Sequence, residues 1–86
     1  MKLEITEPAE KELAGLDKRT RARIKDALDK LLSRPEAVDL RKLKGKTNLW
    51  RLRVGEWRVI LQVDRRKETI YVLHVKHRRE AYRRLS

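Results

Sequence analysis

The chain has 86 residues, with 24 Lys and Arg against 13 Asp and Glu, a formal net charge of +11 and no cysteine. That length holds one domain, residues 1–86, and leaves no room for two. The absence of cysteine excludes a disulfide framework and a thiolate metal site. No apolar run approaches a membrane span and the first residues carry no apolar signal core, so the expectation is a cytoplasmic protein with no membrane association.

A strong cationic excess points to a polyanion partner. Its distribution sharpens that reading. Residues 1–40 hold 9 basic and 9 acidic side chains, whereas residues 41–86 hold 15 basic ones against only Glu56, Asp64, Glu68 and Glu80.

In chain order, Lys2 to Ile5 predicts a short strand with Leu3 and Ile5 on one face. Thr6 suits a helix N-cap and Pro8 falls in the first turn, where proline is tolerated. That helix turns Ala9 and Leu13 inward and stops near Gly15. Asp17 caps a second helix, in which Ile24, Ala27, Leu28, Leu31 and Leu32 recur at helical spacing as one apolar stripe. Pro35 ends it. From Glu36 to Asn48 the chain reads as irregular, anchored by Leu40 and Leu43, with Gly45 at a turn.

The segment Trp50-Arg51-Leu52-Arg53-Val54-Gly55-Glu56-Trp57-Arg58-Val59-Ile60-Leu61 carries most of the information. It alternates apolar and cationic residues with the period of a strand, and breaks at Gly-Glu, which suits a two-residue type II′ hairpin turn. That turn sets Val54 opposite Trp57, Leu52 opposite Val59 and Trp50 opposite Leu61 on one apolar face. On the other face Arg53 stands opposite Arg58, and Arg51 opposite Ile60. Like charges opposed across a sheet are destabilising, so this placement calls for an anion. A turn over Asp64 to Glu68 and a strand from Thr69 to Val75 follow, then a basic tail from Lys76 to Ser86 with one or two helical turns. The result is an α+β domain: a small antiparallel sheet with two N-terminal helices packed on one face, in the order β-α-α-β-β-β plus the tail.

Three pieces, Lys42-Leu43-Lys44-Gly45, the Trp50–Ile60 segment and His77-Arg78-Arg79-Glu80-Ala81-Tyr82-Arg83, together resemble the RelE toxins of the RelE/ParE superfamily, closest to its compact archaeal-type branch. The resemblance spans essentially the whole chain. It implies the toxin of a type II toxin–antitoxin pair that enters the ribosome and cleaves mRNA without metal or other cofactor, by attack of a ribose 2′-hydroxyl on the adjacent phosphate. The family's general-base position corresponds to Arg51 or Arg53, its phosphate-holding arginines to Arg58 and Arg78, and its general-acid tyrosine to Tyr82. A cognate antitoxin, partly acidic and wrapped around the toxin, is implied as partner, beside ribosomal RNA and mRNA.

Chemically, clustered guanidinium groups suit a pentacovalent phosphate. Arginine is a poor proton acceptor, however, and the better-known bacterial pattern has lysines where this chain has Arg51 and Arg53. Either electrostatic stabilisation carries the reaction or another group takes the proton, and His77 is the spare imidazole. His74, inside a strand, reads as structural. Tyr82 could donate a proton, stack on a base or anchor the tail. Trp50 and Trp57 read as core. Arg41, Lys42, Lys44, Lys46, Arg65, Arg66, Lys67, Lys76, Arg79, Arg83 and Arg84 are expected to contact RNA phosphates, giving position without sequence choice. The rival functions are a non-catalytic, ParE-like inhibitor of DNA gyrase and a basic RNA-binding module.

Overall fold

A computed structural model describes residues 1–45 and 48–81. The elements run β1 (Lys2–Ile5), α1 (Glu7–Ala14), α2 (Lys18–Ser33), a 3-10 turn (Pro35–Ala37), β2 (Asp39–Lys42), β3 (Leu49–Val54), β4 (Trp57–Asp64), β5 (Thr69–His77) and α3 (Arg78–Ala81). The strands form one five-stranded sheet in the order β1-β5-β4-β3-β2. The α+β class holds.

The helices begin and end where the residues dictate. Asp17 caps α2 by accepting the Thr20 N–H at 3.2 Å, and Pro35 lies just beyond its last turn. Thr6 precedes α1 but leaves the helix uncapped; its hydroxyl instead donates to the carbonyls of Val72 and Leu73 on β5. Ile24, Leu28 and Leu31 of α2 and Ala9 and Leu13 of α1 close over Leu52, Val59, Leu61, Val72 and Val75 of the sheet. Leu32, expected in the stripe, is 39% exposed because it lies past the edge of that contact.

The sheet departs from expectation in two ways. It is mixed, since β1 pairs with β5 in parallel while the other pairs are antiparallel. Both helices and three strands separate β1 from β5 along the chain, far more than the roughly dozen residues that a parallel pairing needs. And the supposedly irregular Glu36–Asn48 segment contains β2, an edge strand whose Asp, Arg and Lys hide its strand character but suit an edge that must resist pairing with other chains. The last strand also runs two residues further than expected, to His77.

The central hairpin has the predicted register: Val54 opposite Trp57, Leu52 opposite Val59, Trp50 opposite Leu61, and Arg53 opposite Arg58. Gly55 has φ +59°, and Glu56 is not among the positive-φ residues, as a type II′ turn requires. Between β4 and β5 the register slips once: Leu61 pairs with Val72 but Ile60 with His74, so Leu73 is a β-bulge residue.

Candidate anion-binding face

The sheet face turned away from α1 and α2 collects cations in two cross-strand rows. One row runs Asp39, Arg53, Arg58, Lys76 and the next runs Arg41, Arg51, Ile60, His74, each residue the Cα partner of its neighbour. At the usual strand spacing, Arg53 to Lys76 spans about 10 Å, roughly the width of a dinucleotide backbone segment. Of the predicted site residues, the sheet therefore unites Arg41, Arg51, Arg53, Arg58 and Lys76.

Their environments differ. Arg58 is 8% exposed, and its Nη1 donates to the carbonyls of Gly55 at 2.8 Å and Trp57 at 3.0 Å, while its buried Nε has no hydrogen-bond partner. It is thus a clamp on the hairpin tip as well as a fixed charge. Arg51 is half-buried, and its Nη2 donates to Asp39 Oδ1 at 3.2 Å; the same oxygen lies 3.9 Å from Arg41 Nε. Arg53 is exposed and has no acidic side chain bound to it among the described residues. Ile60, 2% exposed, forms an apolar floor in the middle of the cations, so this face is not bare throughout.

At the other margin β1 stops at Ile5, and α1 takes its place beside β5. Glu12 of α1 accepts the free Val75 N–H at 2.8 Å, binds Lys76 Nζ through its other oxygen, and lies 3.5 Å from His74 Nδ1. Burial pushes the Glu12 carboxyl upward, but the hydrogen bonds from Lys76 and Val75 and the positive charges of Lys76 and His74 outweigh it and hold the group below its ordinary value.

The hairpin tip adds two cations. The Arg78 N–H donates to the Glu56 carbonyl at 2.8 Å, which sets the exposed Arg78 beside the turn at the start of α3. Arg23 of α2 lies over Gly55, its Nη2 only 3.0 Å from where a Cβ would be. Arg23, Lys30 and Arg53 share a cleft of about 290 Å³ with Asp26 and Asp39, floored by Ala27, Val38 and Val54.

Other candidates fall elsewhere. His77 is the partner of Trp57 and so lies on the helix-covered face, its ring edge-on to that indole at 5.5 Å. Its Nδ1 accepts the Arg79 N–H at 3.3 Å and its Nε2 lies 3.5 Å from Glu56 Oε2. The spare imidazole is therefore not on the arginine face. His74 is, because the bulge at Leu73 reverses the parity of the residues after it. Lys42 pairs with Trp50 and sits at the sheet edge on the helix side, and Lys44 is exposed in the following turn. Arg65, Arg66 and Lys67 occupy the β4–β5 turn, roughly 20 Å along β4 from Arg58 at the usual rise per residue. Arg79 is exposed next to Arg78. Lys46, Tyr82, Arg83 and Arg84 lie outside the described residues.

Sequence reasoning missed four side chains of this neighbourhood: Asp39, Glu12, His74 and Arg23. Only His74 left a trace. Val72 and Val75 are both core residues three positions apart, a spacing that a regular strand cannot place on one face.

No curated protein sequence matches the chain. Among solved structures, the RelE–RelB complex of the archaeon Pyrococcus horikoshii OT3 is similar at 32% identity and a TM-score of 0.77, covering 93% of this chain and 97% of that one. The RelB–RelE antitoxin–toxin complex of Methanococcus jannaschii shares 26% identity at a TM-score of 0.77, over 92% and 94% of the two chains. The isolated Escherichia coli RelE toxin shares 26% at 0.75, over 99% and 98%. The family model describing the ParE toxin of type II toxin–antitoxin systems matches residues 3–82, and with that span matched the chain belongs to this toxin family, within the RelE/ParE superfamily.

Proposed function

We propose that this toxin is a metal-independent, ribosome-dependent mRNA endoribonuclease that arrests translation. The observation that carries the reading is the pair of cationic rows on one sheet face, with Asp39 the sole acid among the row residues. A gyrase-binding protein needs complementarity to a protein surface. Guanidinium groups opposed across strands at fixed spacing suit instead a phosphodiester backbone, whose charge relieves their mutual repulsion.

In the reaction the ribose 2′-oxygen attacks the adjacent phosphorus and loses its proton. The bond from phosphorus to the 5′-oxygen then breaks, and that oxygen gains a proton, leaving a 2′,3′-cyclic phosphate and a 5′-hydroxyl. Arg53 and Arg58 stand at the centre of the cluster and stabilise the dianionic transition state, and Arg78 at the hairpin tip extends the cradle. Guanidinium groups fixed before the substrate arrives cost little reorganisation, which is the basis of electrostatic catalysis. Arg41, Arg79 and the distant Arg65 and Arg66 would hold phosphates of ribosomal RNA or mRNA.

A cognate antitoxin is the expected partner, as RelB is of RelE in the two archaeal complexes. An acidic antitoxin segment would meet the same cations and block the face.

Primer extension on a defined mRNA, with purified toxin in a reconstituted translation system, tests the function. Cleavage within codons that requires ribosomes is the expected result. Intact transcripts together with double-strand breaks from gyrase would overturn the reading and favour the ParE-type activity that the family also contains.

A further inference from the structure

The cradle lacks an evident proton acceptor. Guanidinium groups are poor proton acceptors, and Lys76 is tied to Glu12. Of the two other titratable groups in the rows, Asp39 is engaged by Arg51 and Arg41, which leaves His74. Building on the ribonuclease reading, we infer that His74 is the general base that takes the 2′-hydroxyl proton, and that Glu12 is the positioning residue that holds its imidazole in the accepting tautomer.

Three observations carry this. First, the Leu73 bulge puts His74 on the arginine face, across Ile60 from Arg51. Proton acceptor and leaving-group side must flank the phosphorus in an in-line displacement. A phosphate over the Ile60 floor would have His74 on one flank and Arg51 on the other. Second, the side chain is 35% exposed, yet its Nδ1 is buried without a hydrogen-bond partner, and Glu12 Oε1 lies 3.5 Å from it. The solvent-reaching nitrogen is therefore Nε2. Third, Glu12 is fixed independently of the histidine, by the Val75 N–H and by Lys76, and is held ionised. A carboxylate beside Nδ1 places the proton there and leaves the Nε2 lone pair free. Closing that 3.5 Å gap when substrate binds would join carboxylate, imidazole and substrate hydroxyl in a relay in which the carboxylate orients and the imidazole accepts.

Among the described residues, the charged groups around His74 are Glu12 from α1, Lys76 two residues along β5, Arg58 diagonally on β4 and Arg51 beyond Ile60. In the step, Nε2 takes the 2′-hydroxyl proton as the phosphorus–O2′ bond forms and the phosphorus–O5′ bond breaks. The departing 5′-oxygen takes a proton from water, and the imidazolium later returns its own to solvent.

The test is single-turnover cleavage of mRNA on programmed ribosomes by the full-length protein. Loss of a positioned general base costs about 100-fold or more, so His74→Ala is expected to fall at least that far in rate with its ribosome affinity unchanged. Added free imidazole should restore part of the His74→Ala rate and leave wild type untouched. Glu12→Gln keeps an acceptor for the Val75 N–H but removes the charge. Its pH–rate profile should move to lower pH than wild type, since the carboxylate that favours the imidazolium is gone, and a mere packing defect does not produce that. Wild-type cleavage combined with a His74→Ala rate within about threefold of it, below the usual range for a general base, overturns the assignment alone. A large loss that imidazole does not rescue assigns His74 to structure and also overturns it. Absence of cleavage by wild type overturns the ribonuclease reading and, with it, this assignment.

Discussion

Replacing Gly55 by alanine is expected to loosen the hairpin tip and the anion-binding face together. Gly55 has φ +59°, a conformation that an L side chain adopts at a cost of about 1–3 kcal/mol. The new Cβ would also stand 3.0 Å from Arg23 Nη2, but that is the end of a flexible side chain and can swing away cheaply. Backbone strain therefore dominates. In a domain of this size each kcal/mol lowers the melting temperature by about 4–8 °C, so a cost near 2 kcal/mol predicts a fall of roughly 8–16 °C. The Gly55 carbonyl holds Arg58 and the Glu56 carbonyl holds the Arg78 N–H, so distortion of the turn reaches both arginines proposed above to hold phosphate. Circular dichroism melts of wild type, Gly55→Ala, Arg23→Ala and the double variant separate the two causes. If strain is the cause, the double variant melts no higher than Gly55→Ala; if the close contact is, removing Arg23 recovers most of the loss. A Gly55→Ala protein melting within about 2 °C of wild type would refute the assigned turn, since the expected shift is several times larger.

Arg53→Ala and Arg78→Ala alter exposed side chains and should change stability by no more than about 0.5 kcal/mol while lowering mRNA cleavage about 100-fold or more, read by melting and by primer extension. Arg58→Ala should instead lose both stability and activity, because its guanidinium also ties the Gly55 and Trp57 carbonyls. Glu12 ionises below its ordinary value in the folded protein, so its contribution to stability is fully present above the unfolded carboxylate value, near 4.5, and is lost as pH falls through the folded one. The melting difference between wild type and Glu12→Gln should accordingly shrink on acidification below about pH 4.5. Asp39→Asn removes the one acid of the two cationic rows and should tighten RNA binding about two- to fivefold at low salt, an effect that vanishes in titrations near 1 M salt.

What the sequence revealed and what it concealed follow one physical rule. The hairpin was legible because turn chemistry and period-two alternation agree: Gly55 permits the reversal, and the six apolar partners then fall on one face. The helices were legible through Asp17, Pro35 and the Ile24–Leu31 stripe. β2 was not, since Asp39-Leu40-Arg41-Lys42 has almost no strand propensity and is held by its pairing with β3 rather than by its own residues. Nor was the face on which each histidine lies. It depends on a one-residue slip at Leu73, and such a slip moves every later side chain to the opposite face. Glu12 was invisible for a different reason: its partners on β5 are more than sixty residues away, so no local pattern records them.

The two missed carboxylates bear on where a phosphate would sit. Asp39 stands at one end of the cationic rows and Glu12 at the other, each satisfying the cation next to it, Arg51 in one case and Lys76 in the other. Charge at the margins is thereby reduced within the chain, whereas among the described residues no acidic side chain binds Arg53 or Arg58 between them. A uniformly basic face would bind polyanions at any position. A face whose margins carry acids would hold a phosphate where attraction is strongest, over Ile60 and beside the Arg53–Arg58 pair. Ile60 excludes water from beneath that position, so a charge developing there is stabilised more strongly than in bulk solvent. The same acids that weaken the field as a whole give it a centre, and that centre is where a strained phosphodiester would have to lie for the flanking side chains to act on it.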